Sequence, residues 1–429
     1  MDLAKVEQAG VVGAGGAGFP THVKLSGKAE LLLVNAAECE PLLSVDQHLI
    51  IGNAQRLKTT LAEVAKHLGA KQTIVAIKKK HRSAIDALQK AKCELCLLDN
   101  FYPAGDEQVL VYEATGRTVP EGGIPLNVGV VVLNVETVLN IANALEDIPV
   151  TQTCLTVTGA VSRPLTGFFP IGMRAGDVVS YAGGALVEDW ALLDGGPAMG
   201  KLKDPASPIT KTTKGLIVLP KTHPQIQLRE KSLSGILRQA GSACCQCRLC
   251  TELCPRYLLG HSLEPARIMR AVAHGTADLE GLTSAMLCSE CGVCDLFACP
   301  MGLSPRRVNQ ALKAEFAKRG LKNPHHRSVE PRAGRSGRKA PTGRLTSRLA
   351  LAAYDKPAPW EAVALSVRQV VIPLLQHIGK PAKPVVKPGQ EVKLGEMIAK
   401  ADGLGANIHA SIQGKVEKVD SAIVIRAAR

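Results

Sequence analysis

Nine of the thirteen cysteines fall within residues 244–299, eight of them in two spaced runs, and those runs constrain the chain more than any other feature. Cys244, Cys247, Cys250 and Cys254 read C-x2-C-x2-C-x3-C-P. Cys288, Cys291, Cys294 and Cys299 repeat the pattern with one extra residue before the last cysteine. Three thiolates at x2 intervals on a tight loop reach three irons of one cubane, while the cysteine before proline points away and ligates the other cluster. The spacing predicts two [4Fe–4S] clusters. One takes Cys244, Cys247, Cys250 and Cys299; the other takes Cys288, Cys291, Cys294 and Cys254. Structural zinc is the competing reading of paired cysteines, although runs of four ending in Cys-Pro are foreign to it. Cys245 is out of register and is expected to pack beside a cluster. Clusters of this kind move electrons one at a time.

A chain of 429 residues has room for several domains and a large core. Only 3% of residues are aromatic, so aliphatic side chains must fill that core. No apolar run approaches the ~18 residues of a membrane span, and MDLAKVEQAG lacks the basic-then-apolar order of a secretory signal. The cysteine usage fits a reducing bacterial cytoplasm. The net charge is +14. Much of it sits in 319–348, where Arg319, Lys322, Arg327, Arg332, Arg335, Arg338, Lys339, Arg344 and Arg348 face the lone acid Glu330. This reads as a solvated linker, with docking to an acidic partner as the alternative. No recognition motif or interleaved aromatics accompany the charge, so a nucleic-acid partner is not expected.

Residues 1–149 alternate strand and helix patterns, the signature of an α/β domain. Residues 150–228 carry short β-type runs (Cys154–Thr158, Asp177–Tyr181, Leu216–Leu219) broken by glycine and proline, a small β-rich domain. Helical pieces surround the cysteines in 229–320, and the basic linker occupies 321–365. Residues 366–429 read as a compact β module. VKPGQEVKLGEMIAKA and ASIQGKVEKV look like the two halves of a biotinyl- or lipoyl-type sandwich, but the hairpin tip near 403–406 has no lysine and Lys400 comes too early. An unmodified structural or docking module is expected.

Gly13, Gly15, Gly16 and Gly18 satisfy G-x-G-x-x-G. A Rossmann loop leaves a strand and opens a helix. Here residues 2–9 read as helical, and Pro20 resists a following helix interior. A glycine-lined anion site fits better, with a bare turn as the alternative. Cys93, Cys96 and Cys154 read as strand-core thiols, and His325-His326 as solvated. Cys39, between Glu38 and Glu40, reads as a packed thiol, with a redox-active thiol as the alternative.

The strings GAGGAGFPTHVK (13–24), NAAECEP (35–41) and NVET (134–137), in that order, resemble the flavin- and NADH-binding subunit of respiratory complex I and the C subunit of Rnf-type electron-transport complexes. KLSGKAELLLVNAAECEPLLSVDQHLI, YPAGDEQ (102–108), the double cysteine run and the C-terminal module together resemble the cobalamin reductases of propanediol-utilisation microcompartments. Their Rnf-type relatives carry the barrel-like module before the glycine loop; here it comes last.

The resemblance implies a multidomain fold: an α/β FMN/NADH domain, a β-grasp (SLBB-like) domain, an α-helical ferredoxin-like domain with two [4Fe–4S] clusters, and a barrel-sandwich module. It implies that Gly13, Gly15, Gly16 and Gly18 line the FMN phosphate and the nucleotide, that Phe19 packs on NADH, and that Lys24 meets phosphates or flavin. Asn35, Glu38 and Glu40 would contact isoalloxazine and nicotinamide, and Gly105, Glu107, Asn134 and Glu136 would complete the pocket. The complex I relatives have NADE where this chain has Ala37.

The implied activity is an NADH-dependent oxidoreductase that passes electrons through FMN and both clusters to cobalamin, from cob(III)alamin towards cob(I)alamin. No residue is assigned a catalytic role, because the redox chemistry belongs to the cofactors. An adenosyltransferase and microcompartment shell proteins are the implied partners, inside a microcompartment. Two alternatives stand beside this: an Rnf-like protein feeding a membrane complex, and a passive iron–sulfur relay, against which the intact glycine string argues.

Overall fold

The computed structural model describes residues 1–276 and 278–427. Its first unit opens with α1 (Leu3–Gln8) and α2 (Thr21–Lys24), which flank the glycine loop. A parallel sheet follows, formed by β1 (Leu31–Ala36), β2 (Gln72–Lys78), β3 (Glu94–Leu98) and β5 (Val130–Asn134) in the order β3-β2-β1-β5; β4 (Phe101–Tyr102) lies outside it. Helices α3 (Val45–Leu68), α4 (Arg82–Lys90), α5 (Glu107–Thr115) and α6 (Val135–Leu145) cover both faces. That is why the strands read as unbroken apolar runs.

Helix α3 begins earlier than the periodicity at 53–68 suggests, because it bends at Asn53 (φ −138°). The Asn53 side chain donates to Leu49 O at 2.9 Å, which competes with the helical ladder. Gly69, in the left-handed region at φ +73°, ends it.

The second unit is a five-stranded sheet ordered β7-β6-β10-β8-β9, from β6 (Gln152–Gly159), β7 (Leu165–Pro170), β8 (Trp190–Asp194), β9 (Lys201–Lys203) and β10 (Gly215–Pro220). Strand β10 runs parallel to β6, and the remaining neighbours are antiparallel. Residues 177–181, expected as a strand, instead belong to helix α7 (Ala175–Tyr181). Ala175, Val178, Val179 and Ala182 are all buried, a helical spacing that a five-residue window cuts in half.

Helices α8 (Pro224–Glu230), α9 (Leu233–Ala243), α10 (Leu249–Glu252), α11 (Pro255–Leu258), α12 (Pro265–His274), α13 (Leu279–Thr283) and α14 (Pro305–Lys318) surround the cysteines. The two cysteine runs share a backbone rhythm. Gln246 and Arg248 flank Cys247 with φ of +54° and +60°; Glu290 and Gly292 flank Cys291 with +61° and +82°. The runs then diverge. Val293–Ala298 forms a π-helical turn where the first run has α10, and the wider turn absorbs the extra residue before Cys299.

The basic segment is not a solvated linker. It runs as a strap across the α/β unit and the cysteine helices. Arg332 N donates to Leu258 O at 3.0 Å, strand β11 (Ala340–Pro341) pairs with β4, and α15 (Thr342–Arg348) buries Leu345. Arg335 and Lys339 meet Glu113 at 2.7 and 2.8 Å. Within the same strap, His325 bonds Thr283 at 3.2 Å rather than standing free.

The C-terminal module packs a four-stranded sheet, β12-β18-β17-β14, against a three-stranded one, β13-β15-β16. Its strands are β12 (Gln369–Pro373), β13 (Lys383–Pro384), β14 (Glu391–Val392), β15 (Met397–Lys400), β16 (Ile408–His409), β17 (Gly414–Val419) and β18 (Ala422–Ala427). Its β15–β16 hairpin tip is docked, not free. Asn407 O accepts from the buried Lys211 Nζ at 2.7 Å, and Asn407 Nδ2 donates to Glu7 O at 3.2 Å.

Candidate functional site

Strand order in the first sheet reverses between β1 and β5, and the crevice beyond their carboxyl ends is where open α/β sheets take ligands. Asn35 and Asn134 end those strands in register. Asn35 Nδ2 donates to Gly105 O at 2.9 Å, and Asn134 Nδ2 donates to Asp46 Oδ1 at 3.0 Å. The glycine loop closes over Asn134. A Cβ on Gly15 would sit 3.2 Å from the Asn134 side chain, whereas one on Gly16 would meet nothing within 4 Å. Ala14 N donates to Thr137 Oγ1 at 2.9 Å, tying the loop to α6. Gly18, at φ +74°, presses on Thr212 and His377. The loop is therefore walled on both sides and open at Gly16, the shape that a phosphate against backbone N–H groups requires.

Two of the expected acids, the buried Glu38 and the half-buried Glu40, are already bonded by backbone donors. Glu38 accepts from Asp46 N (2.9 Å) and Gln47 N (3.3 Å) at the start of α3. Burial and then the neighbouring Asp46 push its carboxyl up to about 8. Asp46 itself is pushed up to about 7, by burial first and by Glu136 next, against the Asn134 hydrogen bond. Glu40 accepts from Ala198 N (2.8 Å) and Met199 N (2.9 Å), which brings the 195–200 turn of the second unit over the crevice.

Glu136 departs from its expected role. It is buried, paired with Lys214, and accepts from Cys154 N, so it joins the first two units instead of facing the crevice. Lys24 and Glu107 form a partly exposed ion pair at 2.8 Å, and Phe19 is 37% exposed at the rim. Sequence reasoning missed Asp46, Lys78 and Lys214. Lys78 and Lys214 lie far along the chain from the motif, and only strand register or domain packing brings them in; Asp46 stands five residues after NAAECEP, but its partner Asn134 is 88 residues away.

The eight cysteines ring two separate hollows. Cys244, Cys247, Cys250 and Cys299 line one, with Cys245 beside them; Cys254, Cys288, Cys291 and Cys294 line the other. Among the described residues no three metal-binding side chains converge as a single ion demands. Four donors around a void suit a cubane rather than a tetrahedral zinc. Burial pushes Cys250 and Cys254 up to about 12, and the other thiols of each quartet add to the rise. Such a set keeps its thiolates only around a metal cation. Glu290 N and Leu303 N donate to the sulfurs of Cys288 (3.3 Å) and Cys299 (3.4 Å).

The second hollow adjoins the crevice. Tyr102, three residues before Gly105, donates to Cys291 O at 2.6 Å, and Arg256 pairs with Asp106 at 2.9 Å, both nearly buried. Arg306 donates to Ala198 O at 2.5 Å and faces Asp295 at 3.3 Å, so the turn that Glu40 holds is also held from the cysteine side. The first hollow lies at the surface, where Cys245 and Cys247 are exposed.

Comparison with known proteins places these parts in one family. Residues 6–143 match the Nuo51 FMN-binding domain, 243–304 the 4Fe-4S dicluster domain, and 358–429 the RnfC barrel sandwich hybrid domain. The chain is similar to cobalamin reductase PduS of Salmonella typhimurium, 46% identical over 98% of this chain and 95% of the relative. It is similar to that of Citrobacter freundii at 45% over 98% and 96%. A component of the proton-translocating ferredoxin:NAD(+) oxidoreductase complex of Clostridium ljungdahlii is 33% identical over 60% of this chain and 56% of its own length. With a switch-point crevice, paired cysteine hollows and near-complete coverage by these relatives, the chain belongs to the cobalamin reductase PduS family.

Proposed function

We propose that this chain is an NADH-dependent reductase that carries FMN and two [4Fe–4S] clusters and delivers electrons to cobalamin, taking cob(III)alamin towards cob(I)alamin. The observation that carries the reading is the adjacency of the crevice and the second cysteine hollow through Tyr102 and Asp106. When bound, FMN accepts a hydride's two electrons and the clusters relay them singly.

The residues of the chain divide the remaining work. Backbone N–H groups around Gly16 take the FMN phosphate, Asn134 backs the loop that holds it, and Asn35 orients the isoalloxazine from β1. Phe19 at the rim supplies a face for the nicotinamide. The 195–200 turn, held by Glu40 and Arg306, excludes water from the side that faces the cysteines. With clusters bound, Glu290 N–H at Cys288 and Leu303 N–H at Cys299 would stabilise added negative charge and raise the cluster potentials.

We read the quartet of Cys254, Cys288, Cys291 and Cys294 as the cluster nearer the flavin. The quartet of Cys244, Cys247, Cys250 and Cys299 is then the exit. The five-stranded sheet, with β10 parallel to β6 at its centre and α7 across it, is read as a β-grasp. Anaerobic NADH titration of protein reconstituted with FMN and iron tests the reading. NADH should bleach the flavin band and then reduce both clusters, with two distinguishable paramagnetic resonance signals. Flavin that stays oxidised with excess NADH would refute the donor assignment. The family's setting, a microcompartment in which an adenosyltransferase uses the reduced corrin, is part of the same proposal.

A further inference from the structure

Lys78 ends β2 with its side chain fully buried, and its Nζ has no hydrogen-bond partner. Burial pushes the Lys78 ammonium's pKa down, against the raising effect of Cys39, Glu38 and Glu40, so an added acceptor at Nζ is what would hold it in the charged form. Successive strand residues face opposite sides. Ile74 and Ala76 pack with Leu31, Leu33, Val130 and Val132, so Lys78 lies on the same face of the sheet as Asn35 and Asn134. It sits one residue beyond the last registered pair, Ala36 with Ile77, which sets it beside Ala37. The titratable groups near it are Glu38, Cys39 and Glu40 on the turn above, together with Lys80. Glu38 and Glu40 already accept two backbone donors each. Lys24, the cation expected from sequence, is engaged with Glu107 at the rim.

The position of the glycine loop fixes the polarity of the crevice. The loop rests on Asn134 at the β5 side, so the phosphate of FMN would lie over β5. Lys78 is two strand spacings away, roughly 10 Å, a gap that a ribityl chain bridges. We propose that Lys78 donates to the polar edge of the isoalloxazine ring and offsets the negative charge that reduction places there. This rests on the FMN reading of the crevice. A hydride brings two electrons and one proton to the ring. A buried cation at the polar edge removes the need for a second proton from solvent.

The test uses the full-length protein reconstituted with FMN and iron, and compares wild type with Lys78→Met and Lys78→Arg. In wild type, the pH dependence of the flavin midpoint potential should correspond to one proton per two electrons across the neutral range. Lys78→Met should weaken FMN binding about tenfold or more, move the potential to more negative values and raise the proton count towards two. Lys78→Arg should restore most of each. If Lys78 only balances Glu38 and Glu40, Lys78→Met lowers the melting temperature but leaves potential and proton count untouched, which overturns the proposal. Two protons per two electrons in wild type overturns it without any variant. Wild type that binds no FMN removes the crevice reading itself and this inference with it.

Discussion

At the residue scale, the buried acids of the crevice make a sign-definite prediction. Glu38 has its carboxyl raised to about 8 in the folded protein, above an unfolded value near 4.3. A group raised on folding contributes stability that is complete below its unfolded pKa and is lost as pH rises through the folded one. The FMN-free protein should therefore melt at lower temperature as pH climbs from about 5 to about 8. Glu38→Gln should flatten that dependence, as followed by circular dichroism. An unchanged slope would place the titration elsewhere. The cysteines make a second prediction. Cys250→Ala and Cys291→Ala strike different hollows, so each should lose about half the bound iron and a different paramagnetic signal. Loss of the same signal in both would contradict the division into quartets. The quartets were legible in the sequence because ligation fixes spacing locally. Asp46 and Lys78 were not, because Asp46 meets Asn134 across 88 residues of chain and Lys78 enters through strand register.

At the element scale, the strap shows why composition misleads. Its charges read as solvated because their partners are remote: Lys339 meets Glu113 across 226 positions. Arg335 and Lys339 also lie over the rings of Tyr112 (4.5 Å) and Phe101 (4.4 Å). All three charged groups are largely shielded from water, so the pairing outweighs a surface salt bridge. Glu113→Ala should cost about 1–3 kcal/mol. It should also open the Arg332–Lys339 segment to trypsin, a cleavage that mass spectrometry locates. Resistance equal to wild type would mean that backbone pairing alone holds the strap. Helix α7 carries the complementary lesson. Its burial at 175, 178, 179 and 182 was written in the residues, but a short apolar window resembles a strand.

At the scale of the whole molecule, the last cysteine of each run lines the hollow of the other run. Cys299 closes the hollow of the first run and Cys254 that of the second. Metal bound there is folding free energy as well as redox chemistry. Removal of iron by a chelator under reducing conditions should lower the melting temperature of residues 229–320 first, seen as early hydrogen exchange in α9 and α12. Exchange that begins in the parallel sheet would argue against it. The β15–β16 tip is docked: Lys211 donates to Asn407 O and Gly10 O and so fastens it beside the glycine loop. The domain order was readable from glycine and cysteine motifs. How the units meet was not, because Glu136–Lys214 and Glu40 with the 195–200 turn join residues that carry no local pattern.

The central claim is that electrons from NADH leave through the clusters to the corrin. Anaerobic stopped-flow mixing of the FMN- and iron-loaded protein with NADH and cob(III)alamin tests it most directly. Flavin bleaching should precede reduction of the corrin band, and the second phase should vanish in Cys250→Ala and in Cys291→Ala while the first remains. Flavin bleaching with an untouched corrin band in the wild type would contradict the account and point to a protein acceptor instead.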